Sequence, residues 1–95
     1  MRPLRQRPGR HARVIMTDQR WQLLPLAARA AWLQIADIAD AMPELRQPPA
    51  GRAVSIADLC RLLAADPSEF ELALTHLVER QIMEPAFDGF RLKAY

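Results

Sequence analysis

Apolar side chains recur three, four and seven positions apart in three stretches of the chain, which is the spacing of a single buried helix face. The first stretch predicts a helix over residues 25–42 that begins at Pro25 and is stopped by Pro43. Leu33 lies on the opposite side of this helix, where it faces either a second core layer or a protein partner. The buried face is expected to consist of Ala28, Ala31, Trp32, Ile35, Ile38, Ala39 and Met42.

The other two stretches are short helices with clear starting signals. A β-prone segment, residues 52–56, runs into the second helix, where Ser55 and Asp58 have the spacing of a capping box. Asp66 is expected to cap the third helix, over residues 67–80, with Pro67 in its first position. The link between these helices is so short that they must cross at a large angle to reach one core, which predicts a helix-turn-helix.

The last segment has the pattern of a β-hairpin. Asp88-Gly89 favours a two-residue turn between strands over residues 83–87 and 90–94. With that turn Phe87 lies opposite Phe90, and one face of the hairpin becomes apolar and buried. Glu84 lies opposite Lys93 on the other face. The predicted fold class is therefore mostly α with a small β-hairpin.

Charge divides the chain into two parts. The 95 residues are too few for two cored domains, so we expect a basic, flexible arm over residues 1–16 and one domain over residues 17–95. Residues 1–20 carry a net charge of +5, and residues 21–95 carry −3. The arm is either a solvated terminus or a contact to DNA phosphates. Its candidate phosphate contacts are Arg5, Arg7, Arg10 and Arg13.

Several functional classes lack support in the sequence. There is no phosphate-binding glycine loop, no catalytic motif and no Cys/His cluster, so we expect no enzyme, no cofactor, no metal and no small-molecule ligand. No apolar run approaches the ~20 residues that cross a bilayer, and no secretory signal is present. The single cysteine, Cys60, fits a reducing compartment. We therefore expect a cytoplasmic protein without a membrane partner.

The order helix, short strand, helix, turn, helix, hairpin resembles a winged helix-turn-helix domain over about residues 21–95. The matching segments are residues 24–29, 54–59, 62–63, 66–70 and 77–82, followed by the Asp88-Gly89 wing. Within that superfamily the chain looks most like the N-terminal domains of phage replisome-organiser and primosomal replication proteins. Such domains usually begin longer proteins, so the chain is either a piece of one or a small protein on its own.

The resemblance implies that the third helix enters the major groove of double-stranded DNA. Ser68, Thr75 and His76 lie on its outward face and are candidate DNA contacts. That face has no central Lys or Arg, and Glu69 and Glu71 make its first turn acidic. Binding is therefore expected to use the arm together with Arg52, Arg61, Arg91 and Lys93.

Two functions follow from the sequence. The first is nucleic-acid binding in phage or bacterial DNA replication or transcription regulation, through phosphate contacts of the arm and wing. The alternative is a protein–protein interaction module that uses the third helix or the far side of the first. Its contact residues would be Leu33, Leu72, His76 and Glu79.

Overall fold

The computed structural model describes residues 10–49 and 51–94. The helices are α1 (Arg10–Thr17), α2 (Gln19–Gln22), α3 (Leu26–Ala41), α4 (Ile56–Leu63) and α5 (Pro67–Glu79), with a short 3-10 helix at Pro43–Leu45. Strands β1 (Met83–Ala86) and β2 (Gly89–Leu92) pair as an antiparallel hairpin. The predicted fold class, mostly α with a small β-hairpin wing, is confirmed.

Helix α3 is the predicted first helix and lies at the centre of the core. Trp32 and Ile35 are completely buried, and α5 packs along this helix. Pro25 precedes the helix as its N-cap and has an extended backbone, so it is not the first helical residue. Leu33 is half-buried and packs against the core, which favours the core contact over the partner contact for this side chain.

Helix α1 lies inside the segment for which the sequence predicts a flexible arm. Residues 10–16 are helical instead, and α1 packs on α3. The reason is Ile15, which is completely buried and gives the segment an apolar anchor. Asp18 then caps α2, because its carboxylate accepts a hydrogen bond from the Arg20 N–H at 2.8 Å.

The two predicted helix caps are present in α4 and α5. The Ser55 hydroxyl oxygen accepts from the Asp58 N–H at 3.1 Å, and an Asp66 carboxylate oxygen accepts from the Glu69 N–H at 3.0 Å. Ala64 ends α4 in the left-handed conformation, with φ 52°. The chain therefore turns within three residues and continues as α5, as the helix-turn-helix prediction required.

Replacing Asp66 with Ala should lower the free energy of unfolding by about 1 kcal/mol, because the Glu69 N–H loses its acceptor. Chemical denaturation of the two proteins measures this difference. Asp37→Ala is the control, since Asp37 is exposed in the middle of α3. A loss no larger for Asp66→Ala than for the control would show that the cap contributes nothing.

The hairpin forms, but its predicted register is wrong. Pro85 pairs with Phe90 and Ala86 with Gly89, so the turn is Phe87-Asp88 instead of Asp88-Gly89. Glu84 accordingly lies opposite Arg91 and not opposite Lys93. The register differs by two residues, which leaves the alternation of faces unchanged, so Met83 and Leu92 are buried as predicted. Pro85, predicted on the same buried face, is exposed, and Phe87 moves from that face to the exposed turn.

A backbone contact to Val54 accounts for this register. The Phe90 N–H donates to the Val54 carbonyl at 2.9 Å, and a Cβ on Gly89 would lie 2.3 Å from the same oxygen. Only glycine can therefore stand beside Val54, so Gly89 is needed within the strand and not in the turn. The strand predicted over residues 52–56 is reduced to this one bridge.

Candidate nucleic-acid interface

The Phe87-Asp88 turn, which forms the tip of the wing, is hydrogen-bonded to the segment that precedes α4. The Ala53 N–H donates to the Asp88 carboxylate at 3.1 Å, and the Phe90 N–H donates to the Val54 carbonyl at 2.9 Å. Arg52 directly precedes Ala53 in the chain, so its backbone lies next to the tip. The sequence prediction that Arg52 and the wing act together is thus compatible with their positions.

A groove with a volume of about 500 Å³ lies beside α4 and the same segment. Arg52 and Arg61 both line it, so the structure brings these two predicted residues together. Glu44 and Asp58 also line the groove, with apolar walls from Met42 and Leu62 among others. The groove is therefore a mixed surface and not a purely basic one.

The two arginines of the groove differ in their charge environment. Arg61 forms an ion pair with Asp58 but keeps 74% of its side chain exposed. A hydrogen bond with the Ser55 side chain, together with the charge of Arg61, lowers the pKa of Asp58. Asp58 therefore stays ionised and offsets part of the charge of Arg61. Arg52 is exposed and forms no ion pair with any residue of the described ranges.

The wing cations are engaged with the protein itself. Nε of Arg91 lies 2.8 Å from a Glu84 carboxylate oxygen, and its guanidinium also donates to the Arg46 carbonyl at 3.0 Å. Nζ of Lys93 lies 3.9 Å from the other oxygen of Glu84. Arg91 thus links the wing to the loop after α3, and Lys93, which is exposed, is the freer of the two for a phosphate.

The outward face of α5 is polar, acidic and partly apolar. Ser68, Thr75 and Glu79 are exposed on it, whereas His76 is half-buried. The Thr75 hydroxyl donates to the Glu71 carbonyl at 3.0 Å, and Leu72 is 69% exposed. No Lys or Arg lies within α5, so its outward face has no cation of its own to attract DNA phosphates.

Of the four arm arginines predicted to contact phosphates, Arg13 is the one whose side chain the structure describes. Arg5 and Arg7 lie outside the described residues, and so does the side chain of Arg10. Arg13 is exposed on α1 and forms no ion pair within the described part of the chain. Arg13 therefore adds a solvent-facing cation that is held by a helix.

Phe87 is a candidate site residue that the sequence did not predict. The sequence places Phe87 in the core, yet it lies at the wing tip with 69% of its surface exposed. The alternative register, in which Glu84 faces Arg91, is the sequence signal that could have placed Phe87 in the turn.

Comparisons of the chain with protein-family models, with curated proteins and with solved structures find no match. No helix in residues 10–49 and 51–94 is long and apolar enough to cross a membrane. The same residues hold no cluster of three or more His, Cys, Asp or Glu side chains that could bind a metal ion.

Proposed function

We propose that this chain is a winged helix-turn-helix domain that binds double-stranded DNA through phosphate contacts on the wing side of the molecule. The observation that carries the proposal is the position of Arg52. Its side chain is exposed and forms no ion pair within the described residues. It directly precedes Ala53, whose N–H donates to Asp88 at the wing tip. Arg61 lines the same groove and adds a second exposed guanidinium, whose charge Asp58 offsets in part.

Contacts of this kind position a protein on the duplex and give little sequence specificity. That agrees with the composition of α5, where Ser68, Thr75 and His76 could touch bases but no central cation draws the helix to the phosphates. The resemblance to phage replisome-organiser and primosomal domains suggests a cytoplasmic role in replication, with transcription regulation as the other setting.

Replacing both Arg52 and Arg61 with Gln should make the plot of log K against log salt shallower. The magnitude of its negative slope should fall by about 2, because each phosphate contact on duplex DNA contributes ~0.9. Duplex binding measured at several salt concentrations gives this slope. Arg80→Gln is the matched control, because it removes an exposed cation from the end of α5 and should leave the slope nearly unchanged.

No binding of duplex DNA by the unaltered chain at low salt would contradict the proposal. Equal slopes for the double variant and the unaltered chain would leave DNA binding in place but remove the groove from it. A slope lowered by Arg80→Gln would shift the contact surface to the end of α5.

A second function is supported by Leu72. An exposed leucine at the centre of an acidic helix face is suited to a protein partner with an apolar pocket and a basic rim. The face would include Glu79 and the edge of His76. Leu72→Glu should abolish capture of such a partner from a cell extract, whereas the Arg52 and Arg61 substitutions should not affect it. Loss of the same partner with the arginine variants would argue against this face.

A further inference from the structure

We infer that Phe87 at the wing tip is a stacking residue for a nucleobase. The inference rests on the proposed DNA binding and adds a base contact to a surface that otherwise offers only phosphate contacts. Phe87 is 69% exposed at the turn of the hairpin, where it does not belong to the hydrophobic core. The neighbouring aromatic residue on the strand, Phe90, packs against the core instead.

The backbone at Phe87 makes this exposure unusual. Its φ of 51° lies in the left-handed region, which Gly, Asn and Asp adopt more readily than a bulky side chain. Phenylalanine at this position therefore suits neither the turn nor the core. A role outside the folded chain explains why the ring stands there, since backbone strain of this kind concentrates at functional sites.

The backbone next to Phe87 is anchored on its β2 side. The Asp88 carboxylate accepts from the Ala53 N–H, and in β2 the Phe90 N–H donates to the Val54 carbonyl. The residues that follow Phe87 are thus bonded to the segment that carries Arg52. Arg52 directly precedes Ala53, so an exposed cation belongs to the same segment that anchors the turn. Aromatic stacking on a base combined with cationic contacts to the backbone is the usual mode of binding to unpaired nucleic acid.

The chemistry recognised is the π-face of a base that has left the helical stack. Such a base comes either from an unpaired nucleotide, as at a fork, or from a duplex step that a wedging side chain opens. Every base has a π-face, so the contact would be tolerant of sequence. Probes that are paired or unpaired at the reporting base separate the two sources.

The test uses the full chain with two DNA probes that carry 2-aminopurine, one as a forked duplex with the probe unpaired and one fully paired. The unaltered chain should quench the unpaired probe on binding. Phe87→Ala should bind that probe about 5- to 150-fold more weakly, the range for losing the stacking of one base, with an unchanged salt slope because no charge is removed. Phe87→Trp should retain both binding and quenching. Circular dichroism verifies the fold of each variant.

Leu26→Ala is the matched control, because Leu26 is 77% exposed but lies at the start of α3 and in no candidate contact surface. Equal binding by Phe87→Ala and the unaltered chain would overturn the inference while the proposed function stands, and so would equal losses for Phe87→Ala and Leu26→Ala. No binding to either probe by the unaltered chain would overturn both. A Phe87-dependent change on the paired probe alone would identify wedging into a duplex step, and one on the forked probe alone would identify an unpaired base.

Discussion

Replacing Gly89 with Ala should lower the free energy of unfolding by about 2 to 4 kcal/mol, at or above the usual range for overpacking. The added Cβ would lie 2.3 Å from the Val54 carbonyl oxygen and 2.7 Å from the carbonyl carbon, and both are backbone atoms that cannot rotate away. The wing would have to move from Val54, which weakens the hydrogen bonds of Phe90 and Asp88 to this segment. Thermal or chemical denaturation measures the change.

Gly51→Ala is the control for this prediction. Gly51 has φ 75°, yet an added Cβ there would meet open space, with no atom within 4 Å. We expect a loss of about 1 kcal/mol at this position, from the left-handed backbone alone. Equal losses for the two variants would show that the close approach to Val54 is not what fixes the hairpin register.

The same contact shows where sequence reasoning about the wing failed. Alternation along a strand has a period of two, so the pattern identified the correct faces but could not distinguish registers that differ by two residues. Asp88-Gly89 then favoured the wrong one, because the local turn preference ignores Val54, which is 35 residues away from Gly89 in sequence. The caps of α4 and α5 are set by neighbouring residues and were predictable.

In the candidate site too, features set by neighbouring residues could be predicted from the sequence, and features set by distant contacts could not. Arg52 directly precedes the segment that starts α4, and Arg61 lies on the outer side of that helix, so a local pattern was enough to predict that both are exposed. The hydrogen bonds of Arg91 could not be predicted in this way, because one of its partners is the Arg46 carbonyl, 45 positions earlier in the chain. Helix α1 was not predicted because Pro3, Pro8, Gly9 and the closely spaced arginines indicate an irregular arm at the start of the chain, whereas the buried Ile15 anchors residues 10–17.

Removing residues 1–9 should make the dependence of log K on log salt for duplex DNA shallower. The magnitude of the negative slope should fall by about 2 to 3 if Arg2, Arg5 and Arg7 each contact a phosphate, at ~0.9 per contact. A cut after residue 9 leaves α1 complete, whereas a cut after residue 13 would remove its first half. The affinity lost should be largest at low salt, where the release of counterions from DNA contributes most.

Replacing the same three arginines with Lys in the full chain is the control for that truncation. Lysine keeps the charge, so the slope should stay close to that of the unaltered chain, while Gln at the three positions should reproduce the truncation. If truncation and the Gln variant leave the slope unchanged while Arg52 and Arg61 substitutions lower it, the first residues are a solvated terminus. The phosphate contacts would then belong to the wing side of the molecule, where Arg52 stands beside the wing tip.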